Sequence, residues 1–91
     1  MRFEYDEKKS EWNKAYRGIS FGEAKPVFLD PYALSRYDAE HSTIIEERYI
    51  RIGFIPDGIV AVVYTDRPDD IRRIISVRKA TRKEMEAYYE Q

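Results

Sequence analysis

ERYIRIGFIPDGIVAVVYT, residues 47–65, is the stretch that decides the fold. In ERYIRIGF (47–54), Ile50, Ile52 and Phe54 alternate with Tyr49, Arg51 and Gly53. This is the period of a strand with one buried face and one partly wet face. The run IVAVVY (59–64) shows no alternation, which predicts a central strand covered on both sides. Pro56, Asp57 and Gly58 lie between the two and are turn formers, so the pair reads as a hairpin. Outward from it, YALSRY (32–37) reads as a preceding strand and IRRIISVR (71–78) as a following one, entered through the charged turn TDRPDDI (65–71). Consecutive strands with short connections predict an antiparallel meander.

The flanks are helical. After a short strand from Arg2 to Tyr5, Asp6 is a good N-cap for EKKSEWNKAYR (7–17), and Gly18 is its natural stop. Trp12 and Tyr16, four residues apart, share a face of that helix, which predicts that Trp12 packs into the core. Ser20 and Glu23 have capping-box spacing and open a second helix, with Ile19 and Ala24 in hydrophobic-staple positions. Pro26 should kink or end it early, and Asp30 and Pro31 close it. Thr81 and Glu84 repeat the capping box at the start of a last helix, on which Met85, Tyr88 and Tyr89 form one stripe. The expected fold is α+β: an N-terminal strand and two helices, an antiparallel β-meander and a C-terminal helix. A chain of 91 residues leaves no room for a second core, so residues 1–91 read as a single domain.

Composition excludes several chemistries. There is no cysteine, hence no disulfide, thiolate nucleophile or Cys-based zinc site, and His41 is the only histidine. No metal site and no cofactor are expected. No apolar run approaches a membrane span and the N-terminus lacks the apolar region of a signal peptide, so the expectation is a soluble cytoplasmic protein with no membrane partner.

What remains is a set of basic and polar side chains. Strict alternation along IRRIISVR places Arg72 and Arg78 on one face with Ile74. Lys79 follows just past the strand, and Arg82 lies in the first turn of the last helix. Together they make a positive ridge beside a helix N-terminus, a setting that suits phosphate, and guanidinium forks onto two phosphate oxygens. His41 lies in a polar stretch, YDAEHSTIIEERY (37–49), with Glu46, Glu47 and Arg48. Imidazole is the side chain suited to moving a proton near neutral pH. Tyr64, Thr65, Asp66 and Arg67 form a second polar cluster at the end of the central strand.

In this order, FEYDEKKSEWNKAYRGISFGEAKPVFLDP (3–31), HSTIIEERYIRIGF (41–54) and VVYTDRPDDIRRIISVRKATRKEMEAYYE (62–90) resemble the BrnT family of toxins over nearly the whole chain. The most telling pieces are GISFGEA, VFLDP and RIISVRKATRKE. The resemblance implies a RelE-like ribonuclease toxin of a type II toxin-antitoxin pair, which cuts RNA without a metal and so blocks translation and growth. It implies as partner a BrnA-like antitoxin with a ribbon-helix-helix domain, through which alone operator DNA would be met. On that mechanism Arg78 and Arg67 stabilise the developing phosphorane charge, helped by Arg72 or Lys79. His41 or Glu47 transfers the proton, Tyr64 supports by hydrogen bonding, and Arg82 contributes to RNA binding. The chain departs from the family pattern at Tyr5, where Trp is usual, and at Tyr16-Arg17-Gly18, where Lys-His-Gly is usual. The competing reading is a non-catalytic module whose sheet face docks RNA or an antitoxin and cuts nothing.

Overall fold

The computed structural model describes residues 1–91. Along the chain run β1 (Arg2–Glu4), α1 (Glu7–Arg17), a 3-10 helix (Gly22–Leu29), β2 (Leu34–Tyr37), β3 (Arg48–Ile55), β4 (Gly58–Arg67), β5 (Ile71–Lys79) and α2 (Arg82–Tyr89). The strands form one sheet in the order β1-β5-β4-β3-β2. β2 to β5 are the antiparallel meander, with β4 at its centre as its unbroken apolar run predicts. β1 adds to the far edge in parallel with β5, Phe3 opposite Arg72.

α1 and the 3-10 helix lie on one face of the sheet and α2 on part of the other. Under the first, Ile19, Phe21, Ala24 and Val27 pack against Ile55, Val60, Val62, Ile74 and Val77. Under α2, Ile50, Ile52, Ile59 and Ala61 form a smaller cluster closed by Leu34, Val63, Ala80 and Tyr88. β4 feeds both clusters with alternate residues, which is why its sequence shows no polar period.

Asp6 caps α1 by accepting from the Lys9 N–H at 3.1 Å, and Gly18 ends it at φ 80°. The core face of α1 is polar, however. Ser10 and Asn13 are its buried residues, and the expected core residue Trp12 is 51% exposed. The segment after α1 supplies the apolar side chains, and α1 holds that segment by hydrogen bonds. Ser10 Oγ accepts from the Phe21 N–H at 2.9 Å, and Asn13 Nδ2 donates to the Ile19 carbonyl at 2.7 Å. Trp12 instead stacks on Tyr16 at the surface, 4.9 Å between centroids.

Ser20 and Glu23 make both capping-box bonds, at 2.9 and 3.1 Å, yet the helix they open is a 3-10 helix that runs through Pro26. Its tighter winding lets Ala24 and Val27, three residues apart, both point into the core. Its C-terminal end is tied to the sheet by Arg51, which donates to the carbonyls of Val27 and Asp30 at 2.9 and 3.1 Å. On α2 the expected stripe is split: Tyr88 turns inward and donates to Asp30 Oδ2 at 2.6 Å, while Met85 and Tyr89 face solvent. That bond and the carboxylate's charge push the Tyr88 phenol up to about 12.

Candidate nucleic-acid interface

Side chains opposite one another in a ladder share a face. On β5, Val77 lies opposite Val62, Ser76 opposite Val63, and Ile74 opposite Tyr64. β5 therefore takes two steps from Ser76 to Ile74 where β4 takes one, and Ile75 is the extra residue of a β-bulge. The bulge keeps both Ile74 and Val77 in the core under α1, although they are three residues apart.

The consequence for the arginines is direct. Arg72 and Arg78 lie on opposite faces, contrary to the strict alternation expected from sequence. Arg78, opposite Ala61, joins Arg73, opposite Thr65, on the α2 face. Lys79, opposite Val60, goes with Arg72 to the α1 face. The ladders place Arg36, opposite Ile50, and Arg48, opposite Thr65, on the α2 face as well, and Arg67 is paired there with Ile71.

That face thus presents six arginines, Arg36, Arg48, Arg67, Arg73 and Arg78 with Arg2 at the β1 edge opposite Ile71, against the carboxylates of Glu4, Glu46 and Glu84. Glu4 lies 3.3 Å from Arg67 and accepts from Arg73 at 3.2 Å. Glu46 lies 2.8 Å from Arg48 and 3.8 Å from Arg67. Glu84 takes both prongs of Arg78, at 2.6 and 3.0 Å, with Arg36 at 3.9 Å. The Arg78 guanidinium holds the Glu84 carboxyl down at about 2, and Glu84 in turn raises Arg78. Arginine exceeds carboxylate on this face of a chain whose formal net charge is −1. The pairs of Glu4 and Glu46 are partly open to water and worth about 0–1 kcal/mol each, so phosphate can displace those carboxylates, whereas the forked Arg78–Glu84 pair, with a mostly buried carboxylate, is held more firmly.

His41 sits in the loop between β2 and β3. Its Nδ1 lies 2.9 Å from Oδ2 of Asp38, which is only 7% exposed. A carboxylate accepts only, so in the neutral ring Nδ1 carries the proton and the lone pair lies on Nε2. Ser42 fastens this loop to the sheet: its hydroxyl donates to the Asp38 carbonyl at 2.6 Å and accepts from the Arg48 N–H at 2.8 Å. His41 therefore belongs to the loop bordering the Arg48 and Arg67 end of the arginine face.

The remaining expected residues lie elsewhere. Tyr64, Arg72 and Glu47 gather on the α1 face. Arg72 is stacked 4.4 Å above the Tyr64 ring and 5.0 Å above Phe28, and is forked onto Asp66 at 2.7 and 3.0 Å. Arg82 stands exposed on α2 beside Glu86, at 3.3 Å. Sequence reasoning missed Arg36, Arg48 and Arg73. A trace of the bulge is present in IISV, where apolar residues come three apart, but a strand rule of strict period two passes over it.

The family model for the ribonuclease toxin BrnT of type II toxin-antitoxin systems matches residues 5–84. This chain belongs to that family. Its members are ribonuclease toxins, and a toxin of type II has an antitoxin for partner. Among solved structures, the crystal structure of the Brucella abortus ribonuclease toxin BrnT has a similar fold, with a TM-score of 0.65 and 24% identity over 90% of this chain and 99% of that one. A search of curated proteins gives no match. The α+β expectation and the assignment to BrnT-like toxins both hold, and no helix is long and apolar enough to cross a membrane.

Proposed function

We propose that this chain cuts RNA on the α2 face of its sheet, with Arg67 and Arg73 binding and neutralising the scissile phosphate, Arg78 holding the RNA backbone further along the face, and His41 moving the proton. The observation that carries this reading is the set of arginines that the Ile75 bulge completes on one face. The ribose 2′-oxygen attacks the adjacent phosphorus, the bond to the 5′-oxygen breaks, and the leaving 5′-oxygen takes a proton from water, so that a 2′,3′-cyclic phosphate and a 5′-hydroxyl result. The 2′-hydroxyl proton passes to Nε2 of His41, whose ring is held by Asp38. Guanidinium groups fixed on strands meet the charge that grows on the phosphorane oxygens without first having to be reoriented. No step calls for a metal. Arg48 and Arg36 extend the track for the RNA backbone, and Arg82 borders it at the α2 end, while Lys79 lies on the other face and takes no part. Glu47 faces away from these groups, so proton transfer rests on His41.

The antitoxin in this reading is a BrnA-like ribbon-helix-helix protein that covers the arginine face with acidic residues, and operator DNA is met only through it. Blocking the arginines excludes phosphate directly.

The test is cleavage of single-stranded RNA by the antitoxin-free chain in the presence of a chelator. Cleavage should persist with chelator, stop at a 2′-deoxy position, and fall by about 10²–10⁴-fold in His41→Gln, as removal of a general base does. Intact RNA after incubation with the folded wild-type chain would overturn the catalytic reading and leave the binding module.

A further inference from the structure

The α1 face carries a pit at the end of β3 and β4 that the RNA chemistry above leaves unused. Glu47, Tyr49, Tyr64 and Asp66 line a cavity of about 210 Å³. Tyr49 and Tyr64 lie nearly parallel, 5.8 Å between centroids at 26°, and Tyr37 closes the Tyr49 side edge-on at 5.6 Å. Tyr64 is only 6% exposed, and its hydroxyl makes no hydrogen bond within the chain. No fully enclosed side-chain polar atom of the protein lacks a partner, so this hydroxyl opens into the pit.

Charge narrows what such a pit accepts. Asp66 is neutralised by the fork of Arg72. Glu47 pairs with no cation, and its anion pushes the Tyr49 phenol up. One uncompensated negative charge beside two aromatic rings and a free phenol favours a cation that donates several hydrogen bonds. The chain holds one such group in the same manner, since Arg72 stacks on Tyr64 and Phe28 and forks onto a carboxylate. Tyr49 and Glu47 offer a second platform and a second carboxylate beside it. A nucleobase could also stack there, but its phosphates would be brought toward Glu47 and away from the arginines.

We propose that this pit takes an arginine side chain of the antitoxin, stacked on Tyr49, forked onto Glu47 and hydrogen-bonded to the Tyr64 hydroxyl. The inference needs the antitoxin that a type II toxin implies, and stands whether or not the chain cuts RNA. It places a basic contact of the antitoxin on the face opposite the one its acidic residues would cover, so the partner would clasp the sheet from both sides.

The experiment uses the full isotope-labelled chain and three probes, with amide shifts read by NMR: N-acetyl-arginine amide, the neutral analogue N-acetyl-citrulline amide, and guanosine monophosphate. The arginine probe should give saturable shifts at Glu47, Tyr49, Tyr64 and Asp66, and citrulline should give none at the same concentration. Glu47→Gln and Tyr49→Leu, whose spectra report whether they fold, should each weaken the arginine response, the former by about tenfold as one charge-assisted hydrogen bond is lost. Equal shifts from citrulline, unchanged binding in both variants, or a pit that answers only to guanosine monophosphate would overturn the proposal, the last in favour of a nucleobase site.

Discussion

Glu84 shows how one residue ties stability to function. Its carboxylate closes the capping box of α2, accepting from the Thr81 N–H at 2.8 Å, and also holds Arg78 in a fork. Arg78, through that fork, lowers the Glu84 carboxyl from the ordinary 4.5 to about 2. A group depressed on folding stabilises the native state above its unfolded value, and that stability is lost as pH falls through the folded one. The Glu84 contribution is therefore complete above about pH 4.5 and fades towards pH 2. Glu84→Gln keeps the cap but removes the charge. The variant should be less stable than wild type at pH 7, and the gap should narrow as urea unfolding is repeated down to pH 3. Glu23, held at about 2 by Lys14, titrates in the same window, so the acid limb should flatten without vanishing. Freed of its carboxylate, Arg78 should bind RNA more tightly in this variant.

At the scale of elements, the bulge in β5 decides which arginines work together. Removing Ile75 would leave Ser76 opposite Val63 and Ile74 opposite Tyr64 in strict alternation, with Val77, Ile74 and Arg72 still on the α1 face and Arg73 and Arg78 still on the other. Deletion of Ile75 should therefore leave the urea midpoint close to that of wild type, and a sharply lowered midpoint would mean that Ile75 is not the extra residue that sorts the face. The same element marks where sequence reasoning stops. The meander, the central place of β4, both capping boxes and the C-terminal helix are legible because each rests on local pattern or turn chemistry. The bulge is not, since its cause is the packing of Ile74 and Val77 against residues far away in sequence. Trp12 misleads for a related reason. Its spacing with Tyr16 reads as a core stripe, but the core is filled by the segment Ile19 to Val27, and α1 meets it with Ser10 and Asn13. The composition of the site, arginine-rich with one histidine, is plain in the sequence; its division between two faces is not.

For the molecule as a whole, the two faces carry different electrostatics despite a net charge of only −1. Arginines prevail on the α2 face, and the α1 face ends in a pit with an unpaired carboxylate. A nearly neutral protein can hold a polyanion in this way, because contact depends on the local surface within a Debye length of about 10 Å rather than on total charge. The central claim is that the RNA backbone lies on the α2 face. The most direct test measures the affinity of a short single-stranded RNA against salt concentration for wild type, Arg73→Ala and Lys79→Ala. Each phosphate contact contributes about 0.7 to the slope of log affinity on log salt for a single strand. Arg73→Ala should reduce the slope by about that amount, and Lys79→Ala, on the other face of the same strand, should leave it unchanged. A slope that falls for Lys79→Ala and stays put for Arg73→Ala would contradict the placement of RNA on the arginine face.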